Sequence, residues 1–310
     1  MRRCSWGLAA TVLTLTLATA ATPPVAANAG SPDRIGLPRG WQPEGITTDG
    51  ARLYAGSLAN GALLRANPRT GKVTVLRDSR TGKPAVGIDY DRWRKVLWVA
   101  GGPEGEIRAQ NPRTGRVLAT FTLPQREQFI NDVVATRRAV YATDSVNKVL
   151  AVVRLGTSDQ VPSSRRARTL ELTGDLRYRE GFNANGIVRS PRWLVLVQSN
   201  TGLLFRVDRR TGRTKQIDLD GRRVRNGDGL EIRGDTLYVV RNRNNLVAVV
   251  DLAPNLRRGR IIDRLTADGL DVPTTVALLG DSLWAVNARF GNPRPTTARY
   301  WITRIGTGDD

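Results

Sequence analysis

Asn67-Pro68-Arg69-Thr70-Gly71-Lys72-Val73 recurs as Asn111-Pro112-Arg113-Thr114-Gly115-Arg116-Val117, and again as Asp208-Arg209-Arg210-Thr211-Gly212-Arg213. Each copy follows one apolar run and precedes another. An Asn or Asp that opens a turn, with Gly closing it, makes a hairpin loop. Thr-Gly-Lys here is not a phosphate loop, because the upstream glycine and the Ser/Thr after Lys are missing. Two strands are expected ahead of each turn and one after it. In the first unit they are 52–57, 62–66 and 73–77. In the fourth they are 193–198, 203–207 and 214–219, and in the fifth 236–240, 246–250 and 260–265. A further short strand is expected before each set. Its start aligns at Glu44, Val86, Asn131, Asn185, Asp228 and Thr274, in steps of 42, 45, 54, 43 and 46 residues. Four short strands per unit at this spacing mark a propeller blade. No apolar stretch of helical period competes. The expected fold is therefore all-β: a six-bladed β-propeller with four antiparallel strands per blade. The sixth unit supplies three strands ending at 300–305, so 33–37 is expected to close the ring and hide two sheet edges.

The chain has 310 residues. Arg2 and Arg3 precede an apolar run from Leu8 to Ala20, the layout of a secretory signal, and the run is too short and weak for a membrane span. Ala27-Asn28-Ala29 fits the cleavage rule, so residues 1–29 read as a signal peptide, with a cut after Ala20 as the next choice. Residues 30–310 read as one domain, secreted after cleavage. Cys4, the sole cysteine, lies before the apolar run, where a lipoprotein cysteine would follow it. The secreted chain therefore has no disulfide, thiolate metal site or cysteine nucleophile. Histidine is absent. That removes imidazole ligands and the usual base of serine hydrolases. Any metal must be held by oxygen, and any general base is expected to be a carboxylate. The formal charge is +20, or +18 without Arg2 and Arg3. The arginines are spread through all segments with no base-reading motif, so specific nucleic-acid binding is not expected. A solvated basic surface that meets an anionic cell envelope is.

In a propeller the inner strands line a central channel and start on one face. Glu44, Asn131, Asn185 and Asp228 should therefore converge. Two carboxylates and two amide oxygens suit a hard divalent cation, Ca²⁺ above others. Two negative charges against two positive ones also limit the cost of burial. Val86 and Thr274 carry no ligand atoms of this kind, which leaves room for a substrate. Each residue alone is an ordinary turn former. Their shared register is what makes them a site.

At this point the chain resembles a known family. Pro43-Glu44-Gly45, Asn131-Asp132, Asn185-Gly186 and Asp228-Gly229 match the turns that hold one catalytic divalent ion in the propellers of the senescence-marker-protein (regucalcin), gluconolactonase and luciferin-regenerating-enzyme family. The segments 141–145, 182–187, 197–202, 226–230, 272–277 and 285–291 look like those of secreted actinobacterial members. The resemblance spans nearly all of the chain after the signal. It implies a metal-dependent lactonase or esterase with Glu44, Asn131, Asn185 and Asp228 on the ion. It also implies that Asp228 is the base or nucleophile, and that a lactone or ester binds in the channel. Paraoxonase-like relatives add histidines, which this chain lacks, so a histidine-assisted route is excluded. Asp132, in a glycine slot of the repeat, is expected to support the ligands from behind. Polar residues after the second strands, Asp144, Ser145, Ser199, Asn200, Arg241, Asn242, Asn287 and Arg289, are expected to rise on the same face. Arg289, and after it Arg241, best suits a carboxylate or oxyanion. Two other readings stand beside the hydrolase: a non-catalytic propeller that binds a ligand or partner, suggested by a YVTN-like run at 237–242, and a family member recruited to another carbonyl reaction.

Overall fold

The computed structural model describes Met1 and residues 31–124, 127–162 and 167–307. Ser31–Asp310 forms one compact unit. The expected signal peptide lies outside the described residues, apart from Met1.

The chain builds six sheets around a ring, with no α-helix among the described residues. Blade 1 holds Pro43–Thr48, Leu53–Ser57, Leu63–Ala66 and Val73–Val75 from the inside outward. Blade 2 holds Ile88–Asp91, Val96–Ala100, Glu106–Gln110 and Val117–Thr122, and blade 3 Ile130–Ala135, Ala139–Asp144, Val149–Arg154 and Arg168–Glu171. Blade 4 holds Ala184–Arg189, Trp193–Gln198, Leu203–Asp208 and Arg213–Ile217, and blade 5 Gly227–Arg233, Thr236–Arg241, Leu246–Leu252 and Gly259–Leu265. Blade 6 holds Pro273–Leu279, Ser282–Asn287 and Tyr300–Gly306, and Arg34–Leu37 completes it, pairing Ile35 with Ile302. One detail departs from four strands per blade. Thr173–Gly174 adds a short parallel strand outside Arg213–Ile217, because the chain must cross that edge on its way inward to Ala184.

The repeated turns close as their chemistry dictates. Asn67 Oδ1 accepts the Arg69 and Thr70 amides, and Asn111 and Asp208 do the same for the residues two and three ahead. Gly71, Gly115 and Gly212 follow at φ of 70°, 82° and 70°, a conformation that other residues adopt only with strain.

Blade strands are buried on both faces, so they read as continuous apolar runs. In Trp193–Gln198, Leu194 and Leu196 pack toward blade 3, and Val195 and Val197 toward blade 5. This is the period of two of a strand. Six apolar clusters result, one at each blade-to-blade junction.

The inner strands have one unpaired edge, facing the channel, and side chains from the preceding blade satisfy it. Thr47 Oγ1 accepts the Tyr90 amide at 3.2 Å, and Asp89 Oδ2 that of Ala135 at 2.7 Å. Asp132 Oδ2 accepts the Ile187 amide at 3.0 Å, and Glu231 Oε2 that of Leu278 at 3.3 Å. Asp89, Asp132 and Glu231 share a small cavity of about 160 Å³ in the channel, together with Arg189. Burial pushes Asp89 up to about 6 and Glu231 up to about 7, against the pull of these amides and of Arg189.

A pH dependence follows. Carboxylates whose pKa is higher folded than unfolded make the folded state bind more protons, so stability falls as pH rises from about 4 to about 7. Thermal unfolding of the metal-free protein is expected to have a higher midpoint at pH 5 than at pH 8. Glu231 alone contributes on the order of 3 kcal/mol to that difference. Glu231→Gln should make the profile shallower, with Asp89 and the other raised carboxylates carrying the remainder. Equal midpoints at both pH values in the wild type would contradict this account of the channel.

Candidate functional site

Glu44, Asn131, Asn185 and Asp228 are each the second residue of an inner strand, in blades 1, 3, 4 and 5. At each the pairing slips by one residue: Pro43 faces Ser57 but Ile46 faces Ala55, with the same step at 130–133, 184–187 and 227–230. These are β-bulges, and a bulge re-aims the side chain it carries. In blades 1, 4 and 5 the next residue must be small because the following blade stands against it, whereas in blade 3 Asp132 takes that place and turns its carboxylate onto the Ile187 amide of the following blade. A Cβ on Gly45 would lie 2.4 Å from the Val86 carbonyl oxygen, and one on Gly186 would strike that of Asp228. Glycine is therefore required by close approach, which explains the recurring Glu-Gly, Asn-Gly and Asp-Gly pairs.

The four side chains line one cavity of about 510 Å³. All four are buried. Glu44 Oε2 is buried with no hydrogen-bond partner. Burial, then the Asp228 charge, then that of Asp132, push the Glu44 carboxyl well above its usual range. Burial pushes Asp228 up to about 7, opposed by hydrogen bonds from Asn242 and Asn185. Asn242 Nδ2 donates to Asp228 Oδ2 at 2.7 Å.

Serines after the second strands orient the two amides. Asn131 Nδ2 donates to Ser145 Oγ at 2.9 Å, and Asn185 Nδ2 to Ser199 Oγ at 3.0 Å. Each serine hydroxyl in turn donates to the next blade's inner strand, Ser145 to the Ala184 carbonyl and Ser199 to that of Gly227. These bonds engage the amide nitrogens and leave the carbonyl oxygens available to a cation. A buried unpaired carboxylate oxygen, a second carboxylate and two oriented amide oxygens form a hard, all-oxygen set. Its formal charge of two matches a divalent cation, so the residues fit such an ion. Among the described residues no three His, Cys, Asp or Glu side chains cluster at ligating distance, so the amides are indispensable to this fit.

Asp132 stands below this set, with Oδ1 accepting the Val133 amide and Oδ2 that of Ile187. Of the other sequence candidates, Ser199, Asn200 and Asn242 line the cavity. Asp144 and Asn287 are committed to their own loops. Arg241 gives its Nε to the Arg225 carbonyl. Arg289, expected at the substrate, is not among the lining residues. Its Nε donates to Asp271 Oδ2 at 2.7 Å, its Nη1 to the Arg299 carbonyl, and its guanidinium lies over the Trp301 ring. A carboxylate and an aromatic face outside the channel hold it there. Arg243 is the arginine that lines the cavity, with Nη1 on the Phe290 carbonyl.

The sequence also gave no sign of an apolar rim. Leu58, Val86, Phe129, Phe182 and Phe290 line the same cavity, Phe182 and Phe290 at its exposed end. Phe129 and Phe182 meet edge to face at 5.2 Å, and Phe182 and Phe290 are 54% and 37% exposed. Asn183 beside Phe182 explains the loop's shape. Its Oδ1 accepts from Arg179, Gln198 and Asn200.

No protein-family model matches the chain, and no curated protein sequence does. Solved structures do. The major Malassezia sympodialis allergen Mala s 1 superposes with a TM-score of 0.67 at 15% identity, covering 89% of this chain and 97% of that one. Luciferin-regenerating enzyme gives 0.59 at 14% identity, over 87% and 92%. Virginiamycin B lyase from Staphylococcus aureus gives 0.58 at 14%, over 81% and 80%. At these identities the likeness is one of fold. Enzymes are among the proteins that share it.

Proposed function

We infer that the protein is a divalent-metal-dependent hydrolase of lactone or ester type, secreted after cleavage near residue 29, and a member of the gluconolactonase-like propellers that its motifs resemble. The observation that carries this reading is the single cavity holding Glu44, Asn131, Asn185 and Asp228, with Glu44 Oε2 buried and unpaired. Ca²⁺ is the ion that best suits these oxygens. When bound, it would supply Lewis acidity toward the substrate carbonyl.

The chain's own groups divide the remaining work. Glu44, Asn131 and Asn185 hold the ion. Asp228 takes the proton of the attacking water, or attacks the carbonyl itself. Asn242 fixes one of its oxygens for that task. The phenylalanine rim excludes water and seats an apolar part of the substrate, while Arg243 offers donors to an anionic or carbonyl oxygen.

The test is turnover of a panel of lactones and aryl esters by the Ca²⁺-loaded protein, with the products identified. Ring-opened acids support hydrolysis. An unsaturated product would point instead to the other carbonyl reaction, and the lyase among the similar structures favours that as the second reading. Phe182→Ala is expected to raise KM for apolar substrates about tenfold while leaving kcat within about twofold, since one exposed aromatic contact is worth roughly a kcal/mol or more. Bound metal with no turnover of any carbonyl compound would leave a binding propeller and overturn the reading.

A further inference from the structure

The inner strands run from the Glu44 cavity to the opposite face of the ring. There, between blades 3 and 4, lies a groove of about 890 Å³. Its walls carry Arg137, Arg138, Arg154, Arg168, Arg209 and Arg210, and no Asp or Glu is among the described lining residues. The arginines come from four places in the chain: the turn after the inner strand of blade 3, the end of its third strand, the start of its fourth, and the 209–212 turn of blade 4. Arg138, Arg154, Arg168 and Arg210 are exposed. Among the described residues their guanidinium groups make no hydrogen bond or ion pair. Arg209 is tied down, donating to the carbonyls of Ser190 and Trp193. Burial, with Arg189 nearby, lowers its pKa. Cations gathered in a concave site reinforce one another's field and repel each other. Among the described residues Asp208, beside the groove, is the carboxylate whose charge reaches Arg210, so the excess of positive charge is only partly offset.

We propose that this groove binds a linear phosphate polymer, independently of the metal cavity. Guanidinium forks match phosphate oxygens in charge and geometry. A concave site of this volume suits a chain rather than a flat bilayer. Tyr141 is the aromatic residue of the lining, and its hydroxyl donates to the Arg209 carbonyl at 3.3 Å. With no row of rings on which bases could stack, the site favours phosphate chains without bases over single-stranded nucleic acid. Binding on this face leaves the mouth of the Glu44 cavity open, so a protein held on such a polymer keeps its cavity accessible.

The test is binding of inorganic polyphosphate to the whole protein at roughly physiological ionic strength. The combined variant Arg138→Gln, Arg154→Gln, Arg168→Gln and Arg210→Gln is compared with a charge-matched control. The control replaces the exposed Arg69, Arg113, Arg257 and Arg260 by Gln, all outside the groove. Wild type is expected to bind with steep salt dependence. The groove variant should lose about thirtyfold in affinity, and the control about twofold, if each exposed contact carries a typical increment. The melting temperature of the groove variant should match wild type. Equal losses in both variants would assign binding to diffuse surface charge and overturn the proposal. So would tighter groove-dependent binding of a single-stranded oligonucleotide or of phosphatidylglycerol vesicles, and so would no binding at all.

Discussion

Asp228→Asn is expected to lower turnover of a lactone or aryl ester by about a thousandfold, the range for loss of a positioned general base or nucleophile. The substitution keeps the shape of the side chain. Its remaining oxygen can still accept from Asn242, which holds Oδ2 at 2.7 Å in the wild type. What it removes is a buried charge that the folded, metal-free protein holds at a cost, since burial pushes Asp228 up to about 7. Above that pH the metal-free variant should melt no lower than the wild type. The two outcomes together separate chemistry from folding: activity collapses while apo stability holds or rises. A variant that unfolds would instead make Asp228 a structural residue. One that keeps full turnover would move the chemistry elsewhere.

The second large effect concerns stability. A cation that binds only the folded protein stabilises it by about 2.7 kcal/mol at a hundred times its dissociation constant. For a domain of this size that raises the melting temperature by roughly 5 °C. Ca²⁺ is expected to do this and a chelator to reverse it. In Glu44→Gln the shift should largely vanish, because Glu44 Oε2 is a buried carboxylate oxygen left without any other partner. The cation should also flatten the upper part of the pH profile, because an opposite charge favours ionised Glu44 and Asp228. A chelator that leaves melting unchanged in protein saturated with Ca²⁺ would contradict a central ion.

What the sequence made legible was whatever repeats locally. The Asn-Pro-Arg-Thr-Gly turn carries its own hydrogen-bonding instructions, so the hairpins at 67–71, 111–115 and 208–212 could be read without tertiary knowledge. The inner strands of blades 1, 4 and 5 were legible because the bulge needs a glycine after the cavity-lining residue, and that leaves a Glu-Gly, Asn-Gly or Asp-Gly pair at the start of each. Convergence of residues 44, 131, 185 and 228 then follows from ring closure. Glu106 with Arg108, a buried ion pair at 2.6 Å in blade 2, left no such trace, since strand alternation alone does not say which polar residues are buried.

The rim was not legible, because Phe129, Phe182 and Phe290 sit in loops that differ from blade to blade. Arg289 shows the same limit. Its position after a second strand is right for the site face, but its backbone is left-handed at φ 54°, and Asp271 and Trp301 decide where the guanidinium goes. Asn242 marked the correct loop. Nothing local distinguished Arg241, which turns to the Arg225 carbonyl, from Arg243, which lines the cavity. The parallel strand at Thr173–Gly174 depends on how a long excursion from blade 3 returns, which repeat spacing does not specify.

Titration calorimetry of the metal-free protein with Ca²⁺ reaches the central claim most directly, run on wild type, Glu44→Gln and Asp228→Asn. The account predicts one ion per chain in wild type, with affinity lost by two orders of magnitude or more in either variant, since each removes one of two buried charges facing the ion. Wild-type protein that binds no divalent cation, or binding that both variants leave intact, would contradict it.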